Sequence, residues 1–88
     1  MNSNIILIVL GEPNSIFSEI LFKYFKSRDF KRNKSKIILI GNKELFEKQM
    51  KKLNYKFFVN EIIEIKQALK NTINLININY KFQYIFSN

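Results

Sequence analysis

Asn4-Ile5-Ile6-Leu7-Ile8-Val9-Leu10 runs without a charge into Gly11-Glu12-Pro13-Asn14-Ser15, and a periodic stretch to Phe25 follows. A short, continuous, β-branched run predicts a strand buried on both faces, as in a parallel sheet. Gly11 to Ser15 is a turn by its residue types. Beyond it, Ile16, Phe17, Ile20, Leu21, Tyr24 and Phe25 recur every three or four residues, which gathers them on one face of a helix. Asn14, Ser15 and Ser18 are capping types near its start. A strand, a turn and a helix in that order form the first half of a βαβ unit, which frames the rest of the chain.

The helix is expected to fade near Ser27, leaving Arg28 to Ser35 as a charged loop with no apolar period. Lys36-Ile37-Ile38-Leu39-Ile40 reads as a second buried strand, broken by Gly41-Asn42. A second helix is predicted over Lys43 to Leu53, with Asn42 as N-cap and Leu45, Phe46, Met50 and Leu53 as its apolar stripe. Glu44 with Lys48, and Glu47 with Lys51, have the favourable spacing and order for ion pairs along a helix. Lys51 and Lys52 suit the negative end of the helix dipole. Asn54 is expected to end this helix. Tyr55 to Val59 is a third strand candidate, and Glu61 to Ile65 a short edge strand by its alternation. Ile65 to Asn71 has room for one or two helical turns. Ile73 to Tyr80 alternates as a further strand, and Lys81 to Asn88 adds three aromatics. Residues 1–88 therefore predict a single α/β domain, a partial layer with a parallel sheet and right-handed crossovers.

Composition narrows the function. Eighty-eight residues with 47% hydrophobic and 15% aromatic content are too apolar for a disordered tail, yet too few for a large core. Without cysteine there is no disulfide scaffold or thiolate metal site. Without histidine the commonest general base and zinc ligand are missing. The net charge of +8 raises nucleic acid as a partner. Seven of the fifteen basic residues fall between Lys23 and Lys36, where a solvated helix-to-strand loop explains them more simply, so nucleic acid is disfavoured. The run Met1 to Leu10 has no basic leader and is followed by Glu12-Pro13, a poor signal peptide. No stretch is apolar for some twenty residues, so no membrane partner is expected and the cytoplasm is the default location.

The turn Gly11-Glu12-Pro13, with Glu19 one helical turn beyond it, lies where α/β sheets bind ligands, at the carboxyl end of a strand. Gly11, Glu12, Pro13 and Glu19 are thus the candidate ligand-facing residues, although a simple turn and helix cap explain them too. One glycine is too few for a dinucleotide fingerprint, and no Gly-Lys-Ser/Thr follows to make a P-loop. Lys43 and Glu44 read as first-turn surface residues. The aromatics Phe57, Phe58, Tyr80, Phe82, Tyr84 and Phe86 read as core rather than as base-stacking platforms. No carboxylate pair or hydroxyl–base pair suggests acid–base or nucleophilic chemistry, and no catalytic, cofactor-binding or metal residue is assigned.

Gly11, Glu12, Pro13, Ile16 and Glu19 fall at the spacing of a known motif. The stretch resembles the opening of the 4-hydroxythreonine-4-phosphate dehydrogenases, where a first strand enters Gly-Asp/Glu-Pro-Ala-Gly-Ile-Gly-Pro-Glu and then a helix. Asn14, Ser15, Phe17 and Ser18 depart from that pattern. Ile37 to Asn42, followed by Leu45 and Lys52-Leu53, is similar to the family's second strand and helix, and Ile73 to Asn79 to a later strand. The resemblance covers most of this chain and only the first part of the family's longer sequence. It implies the N-terminal part of an isocitrate/isopropylmalate dehydrogenase-like α/β/α fold and a homodimer. The implied activity is NAD-dependent oxidation of 4-phosphohydroxy-threonine in vitamin B6 synthesis, with a divalent metal polarising the substrate. The family's metal-binding histidines lie beyond the matched region, so the resemblance assigns neither NAD nor metal contacts to residues here. It implies a scaffold, inactive by itself, whose partner is the remainder of the dehydrogenase. The competing expectations are a small basic α/β module for RNA or another polyanion, and a structural subunit that completes another protein's sheet.

Overall fold

A computed structural model describes residues 4–11 and 15–78, with only the backbone described for 15–17. Four strands form one parallel sheet: β1 (Ile5–Val9), β2 (Lys36–Gly41), β3 (Val59–Glu61) and β4 (Ile73–Asn77), in the order β1-β2-β4-β3. Three helices, α1 (Ser15–Phe25), α2 (Arg28–Arg32) and α3 (Lys43–Lys52), lie between the strands, with a single 3₁₀ turn at Ile65–Gln67. The expected α/β domain with a parallel sheet is therefore present.

Strand order explains which face each connection covers. From β1 to β2, and from β2 to β3, the chain moves across the sheet in the same direction. Right-handed crossovers then place α1 and α3 on one face. The step from β3 to β4 goes backward, so its crossover belongs on the opposite face. The two cores match this division. On one face, Leu21, Phe22, Phe25, Phe30, Phe46 and Met50 from the helices pack on Ile37, Leu39, Ile73 and Leu75 from the sheet. On the other face, Ile62 and Ala68 from the β3–β4 crossover cover Ile38 and Ile76. Phe22 is the aromatic centre of the first core, its ring 5.3 Å from those of both Phe46 and Tyr55.

Asparagines close the irregular segments. Asn42 caps α3, its Oδ1 accepting from Leu45 N–H at 3.0 Å. Asn54 takes a left-handed φ of 65° beyond α3, with Asn54 N–H bonded to Lys51 O and Tyr55 N–H to Met50 O, which is a Schellman ending. Asn71 is also left-handed at 54°, and its Nδ2 donates to the carbonyls of Phe30, Lys31 and Asn33 around the end of α2.

Several expectations change. Arg28–Arg32 is helical rather than loop, because Ser27 Oγ accepts from Phe30 N–H and Phe30 is buried. One apolar residue in five leaves no period to detect. The third strand spans Val59–Glu61, after Tyr55 and Phe57 have turned into the core, and no separate edge strand forms over Glu61 to Ile65. Phe58, expected in the core, is 74% exposed. The ion pairs expected along α3 are not formed within 4.0 Å; Lys23–Glu19 and Lys43–Glu61 are. Most importantly, β1 is an edge strand rather than one buried on both faces, with Leu7 50% and Val9 70% exposed. The part of the last predicted strand beyond Ile78, and the aromatics Tyr80, Phe82, Tyr84 and Phe86, lie outside the described residues.

Candidate functional site

The carboxyl edge of the sheet brings together the end of β1, the β2–α3 junction and the ends of β3 and β4. Gly11 stands exposed at this edge, and nothing lies within 4 Å of a Cβ built on it. Glu12 and Pro13 lie outside the described residues. Glu19 sits in the second turn of α1, exposed and 3.7 Å from Lys23 Nζ. Gly41 is the glycine with a steric reason: a Cβ there would meet Leu10 Cβ at 2.7 Å. The ends of β1 and β2 approach this closely because Leu10 N–H donates to Ile40 O at 2.8 Å.

Helix α3 begins at this edge, and two of the amides in its first turn have side-chain partners. Lys43 N–H donates to Asn77 Oδ1 at 2.9 Å and Leu45 N–H to Asn42 Oδ1. Asn42 Nδ2 donates in turn to Ile78 O at 3.3 Å. Two asparagines therefore satisfy donors that would otherwise attract an anion. Lys43 Nζ lies 3.0 Å from Glu61 Oε1. That hydrogen bond, with the charge of Glu61, raises the lysine pKa above its usual 10.5. The edge is therefore a self-satisfied junction that ties α3 to β3 and β4.

The described residues hold no group of three histidine, cysteine, aspartate or glutamate side chains placed for a metal. No described helix is long and apolar enough to cross a membrane.

Two surfaces escape a reading of the sequence. One is β1, whose Ile5, Leu7 and Val9 share the sheet face opposite α1 and α3 and are 46%, 50% and 70% exposed. Its sequence signal is an apolar run with no charge, which says that both faces suit cover without saying what supplies it. The other is the amino end of the sheet, where connections remote in sequence place their lysines and arginines together. Only strand order reveals this grouping. Compared with protein-family models, curated proteins and solved structures, the chain matches none.

Proposed function

We propose that this chain is the N-terminal scaffold of an NAD-dependent 4-hydroxythreonine-4-phosphate dehydrogenase of pyridoxal phosphate biosynthesis, catalytically incomplete by itself. The observation that carries the reading is β1. It is an uncharged edge strand whose Ile5, Leu7 and Val9 are about half or more exposed, and it leads directly into the Gly11-Glu12-Pro13 motif. Such an edge invites another strand, and such a face invites a covering layer. A larger α/β sheet, as in the isocitrate/isopropylmalate dehydrogenase-like fold, supplies both. The second stretch that carries the resemblance, Ile37 to Asn42, ends β2 and caps α3, a strand followed by a helix, which supports the reading.

The chain's residues do not fit the metal centre of such an enzyme: the sequence has no histidine, and no described carboxylates cluster. The single glycine at Gly11 likewise does not make a dinucleotide cradle. No chemical step is assigned to this chain. Its contribution is to hold the first strands of the sheet, and the metal, NAD contacts and homodimer belong to the remainder.

A chimera tests the reading. Residues 1–78 replace the corresponding segment of an authentic family enzyme, and NADH formation from 4-phosphohydroxy-threonine is followed with divalent metal present. An active chimera is expected. A folded, dimeric chimera without activity sinks the proposal. The second reading, a small polyanion-binding module, is favoured by the placement of charge at the other end of the sheet.

A further inference from the structure

All four strands point the same way, so the turns at their amino ends share one end of the domain. Three connections meet there. Asn71, two residues before β4, is bonded to the end of α2. Lys26, at the end of α1, sits with Nζ 5.7 Å from the ring centre of Tyr55, which follows α3. The segment Lys26 to Lys36 carries six basic residues and one acid, Asp29. Lys51, Lys52 and Lys56 come from the α3–β3 connection and Lys70 from the approach to β4, with no acid in either stretch. Nine of these ten basic residues are exposed, Lys36 being half-buried, and none forms an ion pair within 4.0 Å of another described residue. The stretches toward the carboxyl end carry no such surplus: Lys43 and Lys48 stand with Glu44 and Glu47, and Lys66 with Glu61 and Glu64.

Helix ends do not account for this surplus. The carboxyl termini of α1 and α3 lie at the basic end and attract cations, but each offers only about half a negative charge. Together that neutralises roughly one of the nine net positive charges that ten bases and one acid leave. A potential of one sign, gathered at one end, attracts a polyanion. Phe58, the residue before β3, stands at the same end with 74% of its surface exposed. An exposed aromatic ring at a basic end suits an unpaired base, whose flat face it can stack on, while the lysines follow the phosphates.

We propose that the amino end of the sheet binds single-stranded nucleic acid, with Arg28, Lys31, Lys34 and Lys56 on the phosphates and Phe58 stacked on a base. The site is independent of the dehydrogenase reading, since it lies at the opposite end from the Gly11 turn and does not use the edge of β1.

The test uses the 88-residue chain and a fluorescently labelled oligouridylate, with anisotropy read at increasing salt. Binding is expected to weaken so that the logarithm of affinity falls linearly with that of salt, by roughly 0.7 per phosphate neutralised. Arg28→Glu with Lys31→Glu is expected to lower affinity at least about tenfold and to flatten the slope by roughly 0.7 for each phosphate no longer neutralised. Lys48→Glu with Lys66→Glu makes the same change in net charge elsewhere and is expected to have a much smaller effect. Phe58→Ala is expected to weaken oligouridylate about fivefold or more, yet leave inorganic polyphosphate binding unchanged, because polyphosphate has no base to stack. Far-ultraviolet circular dichroism checks that each variant is folded. Absence of binding at low salt overturns the proposal. So do equal losses from the two charge reversals, which reduce the effect to net charge, and tighter binding to anionic lipid vesicles than to oligouridylate.

Discussion

The side chain of Asn74 bonds to both backbone groups of Leu69: Nδ2 donates to Leu69 O and Oδ1 accepts from Leu69 N–H, each at 2.9 Å. The same amide donates to Ile37 O in β2 at 2.9 Å and accepts from Asn60 Nδ2 in β3 at 3.0 Å. It is fully buried. One side chain thus fixes the β3–β4 crossover to three strands, in a crossover too irregular to satisfy its own backbone.

Asn74→Leu removes the amide but fills its place, and it strands the Leu69 N–H and carbonyl that the amide satisfies. A loss of about 3 kcal/mol is expected, from two or more buried groups left unpaired. Urea unfolding checks it, with the midpoint lowered and the slope unchanged.

Asn54 and Asn71 share a left-handed backbone but differ in what their side chains do. Asn54→Gly is expected to be neutral or slightly stabilising, since glycine adopts this conformation freely. Asn71→Gly removes the donor that closes α2 and is expected to cost about 1–2 kcal/mol. Thermal unfolding of the two variants side by side separates backbone preference from side-chain bonding. Equal losses would show that conformation alone matters.

The Lys43–Glu61 pair makes stability depend on pH. The folded-state pKa of Lys43 is raised, so the stabilisation is fully present below the ordinary lysine value of 10.5 and disappears as pH rises through the raised one. The stability difference between the parent and Lys43→Met should be constant near neutrality, shrink at strongly alkaline pH, and shrink also with salt, because both side chains are part-exposed. A difference that grows with alkalinity would contradict the pairing.

Neighbouring residues on β1 should respond in opposite ways to the same charge. Leu7 is half exposed on the face opposite the helices, whereas Ile8 packs against the main core. Leu7→Lys is expected to change stability by no more than about 0.5 kcal/mol and to reduce self-association, since a lysine blunts an edge strand. Ile8→Lys should unfold the domain or lower its midpoint sharply. Sedimentation and urea unfolding of both variants provide the check.

Local chemistry makes much of this fold legible. The period of Leu21 and Phe25 announces α1, Asn42 announces the start of α3, and Asn54 its end, because each signal acts within a few residues. Helix α2 is hidden because Phe30 is its only buried residue and its support comes from Asn71, forty-one positions further on. Phe57 and Phe58 are alike in sequence and opposite in burial, since the register of β3 against β4 decides between them. The candidate turn is legible only as a motif. Strand order, which gathers the basic connections at one end and leaves β1 at an edge, depends on long-range pairing that no window of sequence contains.

The backward step from β3 to β4 also orders events on the ribosome. β3 pairs with β4 and not with β2, so when Glu61 leaves the exit tunnel the strand that β3 joins in the sheet has not yet been made. The strand that completes the sheet is the last of the four to be made, and it must enter between two that are already waiting. A nascent chain halted before Ile73 would hold β1, β2 and the helices, with β3 still unpaired. If each element packs as it is made, assembly is vectorial up to α3 and then waits on a single late insertion, the interval in which exposed strand edges are most open to misassociation.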